Sequence, residues 1–301
     1  MNTKKILFPT DFSKLSDAAL PLATSLAHDR NAELIILHVQ EPSIVYSAGE
    51  YYYGPREPSS EQLWQMLDKV VPTDPKVPCR HQMGSGNPAQ EIVRIAEQED
   101  VGMIVMGTHG RTGWQHMLVG SVAEKVICRA KCSVLTFKQP VLESLGAEFP
   151  KALHGAQGKS ILFATDFSST GNAALLQATS LARDMGAQLI IMHVEEPLAP
   201  YGGGEVYSVH ILDAHSESLK RTLENLRPDN PKGPCMHRMA IGDPANEILR
   251  VADEEHAIMI VMGTHGRTGL AHVLMGSVAE KVVRRASCPV LTFKQIQNNS
   301  D

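Results

Sequence analysis

A long internal repeat constrains this sequence more than any other feature. The stretch Lys4–Pro42 aligns with Lys159–Pro197, and Met103–Lys138 returns as Met259–Lys294 with eight changes in 36 positions. Repeats of this size correspond to whole structural domains rather than to small stacked units. A chain of 301 residues is also long enough for two domains that each bury a core.

The repeat sets the expected domain boundaries. The segment from Gln139 to Gly158 has no counterpart elsewhere and little periodicity, which is typical of a linker. We therefore expect a first domain at residues 1–138, a linker at 139–158, a second domain at 159–295 and a tail at 296–301.

Apolar periodicity predicts alternating strands and helices in each copy. Lys5–Pro9 and Ala32–Val39 are apolar runs of strand length, and Asp17–Arg30 between them has helical spacing. Pro21 would fit this helix only in its first turn, where a missing N–H has little effect. Strands that alternate with helices predict a parallel sheet buried on both faces. The apolar helical positions are Ala19, Leu22, Ala23 and Leu26.

The rest of each copy continues this alternation. Segments rich in tyrosine and glycine, Ser43–Ser60 and Leu198–His210, are interpreted as loops. The sequence Gly86-Asn87-Pro88 predicts a helix start, with Asn87 as the cap and Pro88 at the first helical position. The other predicted elements are helices Ser60–Val70, Val209–Leu226, Pro88–Glu99 and Ser121–Arg129, and strands Pro78–Met83, Pro234–Met239, Met103–Met106 and Ser133–Phe137.

A glycine segment follows the fourth predicted strand of each copy. It begins with Gly-Thr-His-Gly, and nine residues later Gly120-Ser121 or Gly276-Ser277 opens a helical pattern. Glycine allows a close approach of the backbone, and the first N–H groups of a helix point at whatever lies before them. This combination predicts a cradle for phosphate groups. Glycines that serve only the turns are the alternative interpretation.

In a parallel sheet of this kind, ligands bind at the carboxyl ends of the strands where the strand order reverses. Three segments should meet there in the first copy: Pro9-Thr10-Asp11, His38-Val39 and Met106-Gly107. This convergence predicts a site of nucleotide size.

Composition excludes several other classes of protein. A net charge of −5 and a pI near 6.2 provide no basic surface for nucleic acid. The longest apolar runs are too short for a spanning helix, and the first residues do not form a signal-peptide core. Five cysteines in a chain without such a signal indicate a reducing cytoplasm.

The sequence resembles the universal stress protein family in its tandem form. The resemblance is carried by Pro-Thr-Asp-Phe-Ser at Pro9–Ser13, Ala-Thr-Asp-Phe-Ser at Ala164–Ser168, and the two glycine segments. It implies two Rossmann-like domains of the adenine nucleotide alpha hydrolase type, each with a five-stranded parallel sheet in the order 3-2-1-4-5. It further implies ATP binding, with ADP or AMP as alternative occupants and Mg²⁺ as a possible companion. The two domains would pair through their last strands, within one chain or between chains.

The same resemblance assigns roles to individual positions. Asp11 and Asp166 would face the adenine or ribose, and the backbone at Val39 and Val194 would bind the adenine edge. The remaining contacts of the first site would be Pro9, Thr10, Met106, Gly107, His109, Gly110, Arg111, Gly120, Ser121 and Val122. Those of the second would be Ala164, Thr165, Met262, Gly263, His265, Gly266, Arg267, Gly276, Ser277 and Val278.

Three alternatives stay open at this level. Slow ATP hydrolysis is one, although the segments carry no Walker lysine and no convincing carboxylate pair. Zinc binding by Cys79 with His81, and by Cys235 with His237, is the second, because each pair shares one side of a strand. Binding of a protein partner through the tyrosine-rich loops is the third. We expect a nucleotide-dependent regulator with two ATP sites, at most slow hydrolysis and no bound metal.

Overall fold

The computed structural model describes residues 4–41, 58–108, 119–138, 159–168, 170–197, 207–228, 235–264 and 275–294. The chain divides into two compact units, Met1–Leu142 and Glu143–Asp301. The division lies within the predicted linker, whose residues fall outside the described ranges. So do most of the predicted tyrosine-rich loops.

The first unit alternates strands and helices as the sequence predicts. Its strands are β1 (Lys5–Pro9), β2 (Glu33–Gln40), β3 (Cys79–Ser85), β4 (Met103–Gly107) and β5 (Ser133–Phe137). Its helices within the described residues are α1 (Lys14–Arg30), α2 (Ser60–Leu67), α3 (Pro88–Gln98) and α4 (Ser121–Arg129).

The second unit repeats this order. Its strands are β6 (Ser160–Ala164), β7 (Gln188–Glu195), β8 (Cys235–Ile241), β9 (Ala257–Gly263) and β10 (Val290–Phe293). Its helices within the described residues are α5 (Thr170–Met185), α6 (Tyr207–Asn225), α7 (Pro244–Glu254) and α8 (Ser277–Arg285).

Each unit forms a parallel sheet with its first strand at the centre. The order is β3-β2-β1-β4-β5 in the first unit and β8-β7-β6-β9-β10 in the second. Both correspond to 3-2-1-4-5, so the predicted fold class is confirmed. The chain moves from β1 to β2 and β3 on one side and then crosses to β4 and β5 on the other. The order therefore reverses between β1 and β4, and between β6 and β9.

The first helix departs from the prediction at its start. It begins at Lys14 rather than Asp17, because the Ser13 side chain accepts a hydrogen bond from the Ser16 N–H and caps it. Pro21 therefore lies inside the helix. The prediction from sequence places it in the first turn. The predicted stripe of Ala19, Leu22, Ala23 and Leu26 is buried to 2% exposure or less. Packing of this stripe outweighs the hydrogen bond that Pro21 removes.

The core lies on both faces of each sheet, as parallel strands require. Ile6, Leu7 and Phe8 of β1 and Ile161, Leu162 and Phe163 of β6 are almost fully buried. Other predicted boundaries differ by a few residues at element ends. The largest of these differences is at α2, which ends at Leu67 rather than Val70. Strands β3 and β8 each end two residues later than predicted, and α6 begins two residues earlier.

Candidate functional site

A tight turn at the end of β1 holds Asp11. The Thr10 N–H donates to the Leu37 carbonyl of β2 at 2.8 Å. The Phe12 N–H then donates to Thr10 Oγ1 at 3.0 Å, and the Ser13 N–H donates to Asp11 Oδ1 at 3.1 Å. The turn is therefore closed by its own side chains, and the Asp11 carboxylate is fixed at the carboxyl edge of the sheet.

Phe12 adopts a backbone conformation that costs energy. Its φ is +60°, in the left-handed region that a bulky residue rarely occupies. Phe167, in the second domain, has a φ of +62°. Strained residues of this kind persist only where surrounding contacts hold them, and they are common at functional sites.

His38 supplies one of the contacts that hold this turn. Its side chain is 6% exposed, and its Nδ1 lies 2.8 Å from the Thr10 carbonyl oxygen. Because a carbonyl only accepts, Nδ1 carries the proton and donates it. The ring also contacts Phe12, with 4.3 Å between ring centroids. His38 thus ties β2 to the turn after β1.

The second domain repeats these contacts. The Thr165 N–H donates to the Met192 carbonyl at 2.9 Å, and the Phe167 N–H donates to Thr165 Oγ1 at 3.0 Å. The Ser168 N–H donates to Asp166 Oδ1 at 3.1 Å. His193 Nδ1 lies 2.8 Å from the Thr165 carbonyl. Asp166 is therefore presented at the same edge of its sheet by the same turn.

Sequence reasoning placed His38 only at the end of a strand. It gave no role to Phe12 or to Ser16, whose hydroxyl donates to Asp11 Oδ1 at 2.6 Å. The signal for His38 was available: it is a polar residue in an otherwise apolar buried run, and His193 recurs at the same place. The positive φ of Phe12 had no sequence signal, because phenylalanine gives no indication of a left-handed backbone.

The main chain of Val39 faces the same turn. Residues along a strand alternate in the neighbour to which their N–H and C=O point. The Leu37 carbonyl points to β1, where it accepts from Thr10, whereas the Gln40 carbonyl points to β3, where it accepts from Gly86 at 3.0 Å. Val39 lies two residues after Leu37, so its N–H and C=O point to the same side as those of Leu37, which is the side of β1. Leu37 belongs to the last residue pair between β1 and β2, so Val39 lies two residues beyond the end of that pairing.

Val194 has the same placement in the second domain. The Met192 carbonyl accepts from Thr165 of the turn, and the Glu195 carbonyl accepts from Gly242 at 3.0 Å on the other side. The Val194 main chain therefore points beyond the end of β6. A donor and an acceptor on an open strand edge suit a flat heterocycle that carries both kinds of group.

The two ends of the glycine segment meet beside β4. The Thr108 N–H donates to the Phe137 carbonyl of β5 at 2.9 Å, and the Gly120 N–H donates to the Thr108 carbonyl at 2.6 Å. The start of α4 is therefore held against the end of β4. In the second domain Thr264 joins the Phe293 carbonyl and Gly276 in the same way, at 2.8 and 2.9 Å.

Helices α4 and α8 begin without a side-chain cap. Their cap positions are Gly120 and Gly276, which have no side chain, so within the described residues neither helix has a side-chain cap. Helices α1, α2, α3 and α7, by contrast, are capped by side chains, those of Ser13, Ser59, Asn87 and Asp243. An uncapped first turn presents N–H groups and the positive end of the helix dipole. These two helices therefore offer an anion site at the carboxyl edge.

The predicted site residues that the structure describes lie on adjacent elements. Pro9 ends β1, and Thr10 and Asp11 follow it. Met106 and Gly107 end β4, which is the neighbour of β1 across the reversal in strand order. In the second domain Ala164 is in register with Met192 of β7 and with Met262 of β9. The exposed Ser121 and the half-buried Val122 open α4, and Ser277 and Val278 open α8. His109, Gly110, Arg111, His265, Gly266 and Arg267 lie outside the described residues.

The histidines of the cysteine and histidine pairs on β3 and β8 are bound to main-chain carbonyls. His81 Nε2 and His237 Nε2 each lie 2.8 Å from a main-chain carbonyl, of Val70 and Leu226 respectively. Burial raises the pKa of the Cys79 and Cys235 thiols. Within the described residues, no cluster of three or more potential ligands is arranged to hold a metal ion. The described helices also include none with the length and apolarity to cross a membrane.

Comparison with known proteins shows which protein family has this architecture. The model of the universal stress protein family matches residues 2–138 and again 158–294. A universal stress protein of Methanocaldococcus jannaschii is 35% identical over 144 residues, which cover 46% of this chain and 82% of that protein. One from Mycobacterium bovis is 26% identical over 309 residues, covering 96% of this chain and 97% of its own length.

Solved structures agree with the fold of the full chain. A universal stress protein from Archaeoglobus fulgidus superposes with a TM-score of 0.61 at 23% identity, covering 98% of this chain and 97% of its own. A putative universal stress protein from Pseudomonas aeruginosa gives a TM-score of 0.66 at 18% identity, covering 97% and 93%. The family model, matched twice along the sequence, shows that this chain belongs to the universal stress protein family and carries its domain in tandem.

Proposed function

We propose that each domain binds one adenine nucleotide, ATP in the first instance, and that the chain acts as a nucleotide-dependent regulator of the stress response in the cytoplasm. The observation that carries this proposal is the uncapped start of α4 and α8. Each is tied through Thr108 or Thr264 to the strand that neighbours the Asp11 or Asp166 turn. Two such arrangements in one chain support two sites.

Each part of a nucleotide has a chemical counterpart at this edge. The open N–H groups of α4, with the Ser121 hydroxyl, suit the phosphates. The Asp11 carboxylate accepts hydrogen bonds from sugar hydroxyls or from the adenine amino group. The Val39 main chain offers both a donor and an acceptor to the adenine edge. The corresponding groups of the second site are those of α8 with Ser277, Asp166 and Val194.

The proposed role is to hold the nucleotide rather than to turn it over. Rapid phosphoryl transfer needs a positioned water and charge stabilisation of the leaving group, commonly from a lysine and a metal ion. No lysine occurs between Gly107 and the body of α4, where the first is Lys125. We therefore expect hydrolysis to be slow at most.

Calorimetric titration with ATP tests the proposal. Ser121→Asp and Ser277→Asp place a negative charge at the exposed first position of α4 and α8. Aspartate is favourable for the helix there, but it repels phosphate. The wild-type chain should bind two nucleotides, each variant one, and the double variant none.

Gln98→Glu is the matched control, because it adds the same charge at the far end of α3, where Gln98 already accepts from Arg94 at 2.6 Å. The second domain carries Glu254 at this position, paired with Arg250. The control should bind two nucleotides. A wild-type chain that binds no nucleotide would refute the proposal. Undiminished binding by the double variant would show that the phosphates do not bind at the starts of α4 and α8.

Single-turnover measurements with labelled ATP test the holding role. We expect release of phosphate to be slow and unaffected when His109 and His265 are both changed to alanine. Rapid Mg²⁺-dependent release that disappears in this double variant would establish an ATPase instead. Mass spectrometry of the small molecule that co-purifies with the chain would identify the resident nucleotide.

A further inference from the structure

Helices α4 and α8 carry the same lysine in their second turn, but its partners differ between the two domains. We propose that Lys125 binds the outer phosphates of the nucleotide at the first site, and that Asp243 binds the equivalent Lys281 and keeps it from the second. This inference rests on the proposed function, since it names the residue that distinguishes ATP from shorter nucleotides at one of the two proposed sites.

The lysine of the second domain is held by a carboxylate. Lys281 Nζ lies 3.2 Å from Asp243 Oδ2, and both side chains are partly exposed. Asp243 is the cap of α7, which begins shortly after β8 ends at Ile241, so this carboxylate lies at the carboxyl edge of the sheet. The ammonium group of Lys281 therefore already binds an anionic group at the edge where the phosphates are proposed to bind.

Helix geometry directs both lysines toward the start of their helices. Residues four apart lie on one face of a helix, and side chains lean toward its N-terminus. Lys125 follows Ser121 by four residues, and Lys281 follows Ser277 by four. The rise over four residues is about 6 Å, and the flexible four-carbon stem of lysine can extend along it. Each ammonium group can thus reach the open first turn of its helix.

The first domain has an amide where the second has this carboxylate. Asn87 takes the place of Asp243, and its side chain accepts the Gln90 N–H as the cap of α3. Lys125 is exposed, and it has no ion-pair partner among the residues that the structure describes. Lys125 is therefore available to an anionic ligand, whereas Lys281 is not.

The carboxylates of α3 do not replace the missing partner. Arg94 donates to Glu91 at 2.7 Å, and Lys131 Nζ lies 3.4 Å from Glu97. These are the two acidic residues of α3. In the part of the chain that the structure describes, neither of them pairs with Lys125.

A lysine in this place should favour nucleotides with more phosphates. ATP carries most of its negative charge on its outer phosphates, which AMP lacks, so the contact of Lys125 contributes to the binding of ATP and not of AMP. Because the lysine is exposed and its charge is screened, we expect it to contribute about threefold in affinity. The lysine holds the ligand but positions no attacking water, so slow hydrolysis is still expected.

The first experiment removes the lysine from the full-length chain. Calorimetric titration in the Ser277→Asp background reports the first site alone. In this background Lys125→Ala should weaken ATP binding about threefold and leave AMP binding unchanged. Lys131→Ala is the matched control, because it removes the same charge beyond the far end of α4, and it should leave the binding of both nucleotides unchanged.

The second experiment exchanges the two caps. Asparagine and aspartate cap helices about equally well, so Asn87→Asp and Asp243→Asn keep both helix starts. Asn87→Asp should bind Lys125 and weaken ATP binding at the first site about threefold. Asp243→Asn, measured in the Ser121→Asp background that reports the second site, should release Lys281 and strengthen ATP binding by a similar factor.

A double variant separates the lysine from direct repulsion between Asp243 and the phosphates. The gain from Asp243→Asn should disappear when Lys281 is changed to alanine as well, because two residues that act through one contact are not additive. A gain of the same size without the lysine would show that Asp243 acts on the phosphates directly, and this would overturn its assigned role.

The outcomes distinguish this inference from the proposed function. Unchanged ATP binding in Lys125→Ala, or an equal loss in Lys125→Ala and Lys131→Ala, would overturn the inference and leave the nucleotide sites standing. The absence of ATP binding from the wild-type chain would overturn both.

Discussion

The two edges of each sheet differ in how closely the second domain copies the first. At the carboxyl edge, the contacts of Thr10 and His38 reappear at Thr165 and His193 with the same donors and acceptors. At the amino edge the contacts have changed. Lys5 Nζ lies 2.9 Å from Glu99 in the first domain, whereas the equivalent Ser160 donates its hydroxyl to the Glu255 main-chain carbonyl at 2.8 Å.

The charges at the amino edge have been redistributed as well. In the first domain Glu99 also pairs with Arg80 at 2.5 Å, and Arg80 pairs with Glu33 at 3.2 Å. In the second domain Gln188 and Met236 replace Glu33 and Arg80, and Glu255 pairs with Arg238 instead. At the amino edge, different contacts join the end of α3 and the end of α7 to their sheets, and each of them can stabilise its domain. At the carboxyl edge, by contrast, both domains keep the same turn, in which the Ser13 or Ser168 N–H donates to the carboxylate of Asp11 or Asp166.

The largest expected effect comes from the buried histidines of the carboxyl edge. His38→Ala should destabilise the first domain by about 2–3 kcal/mol, because it leaves a cavity and an unpaired Thr10 carbonyl. His193→Ala should do the same to the second domain. Hydrogen–deuterium exchange, measured on peptides of each domain, reports the two losses separately.

The exposed His28 provides the control for this pair, and His28→Ala should change stability by less than about 0.5 kcal/mol. Clearly unequal losses for His38→Ala and His193→Ala would break the claimed equivalence of the two carboxyl edges.

Removal of the side-chain caps of α3 and α7 should also destabilise the protein, but by less than removal of the buried histidines. Asn87→Ala should cost about 1 kcal/mol, since the side chain accepts the Gln90 N–H. Asp243 caps α7 in the same way, and its pKa is lowered, first by the hydrogen bond from the Asn246 N–H and next by Lys281.

The charge on Asp243 makes only the second cap sensitive to acid. A lowered folded pKa means that its contribution is present above the usual value of 3.8 and is lost as the pH falls through the folded pKa. The cost of Asp243→Asn should therefore shrink in acid, while that of Asn87→Ala should not. Parallel acid dependence of the two costs, measured by exchange, would contradict this assignment.

The contacts at the amino edge of the first domain should stabilise it less in acid. The pKa of Glu99 is lowered, chiefly by the hydrogen bond from Lys5 and then by Arg80. Its stabilising effect is present above the usual value of 4.5 and is lost as the pH falls through the folded pKa. Glu99→Gln should cost about 0.5 kcal/mol near neutral pH, because the group is partly exposed and screened.

Glu255→Gln is the comparison within the same chain. Because Glu255 has a single cationic partner in the structure described, its substitution should cost less than Glu99→Gln. Equal costs in thermal unfolding at neutral pH would show that the two amino edges are equivalent after all.

The smallest effect concerns thiol chemistry at the amino edge. Burial raises the pKa of Cys132 to about 12, so almost no thiolate is present near neutral pH. Cys132 itself is partly exposed, whereas Cys288, at the equivalent position, and Cys128 are buried. Alkylation of the folded chain should label the exposed Cys79 first and the buried Cys128 and Cys288 last, with all five cysteines labelled in denaturant. Labelling of Cys132 as fast as Cys79 would contradict its raised pKa.

The alternation of strands and helices could be predicted because it depends on apolar periodicity, which the sequence displays directly. The strand order followed from the family resemblance rather than from periodicity. The start of α1 could not be placed, because Ser13 competes with Asp17 as a helix start and only the packed structure decides. The placement of Asp11 and Val39 at the carboxyl edge could be predicted, but the bond from the Ser16 hydroxyl to Asp11 could not, since a contact across five residues at a left-handed Phe12 has no local signal.

The central position of β1 affects how the chain acquires its structure. Its partner β4 lies roughly a hundred residues later in sequence, and β6 repeats the central Ile-Leu-Phe of β1. During synthesis, β2 to β5 emerge before β6 exists, so β1 meets only its own partners. When the complete denatured chain refolds, β1 and β6 compete for the same central gaps, and exchange of strands between repeats is a characteristic route to misassembly. The order of synthesis therefore protects this duplicated chain in a way that its thermodynamic stability does not.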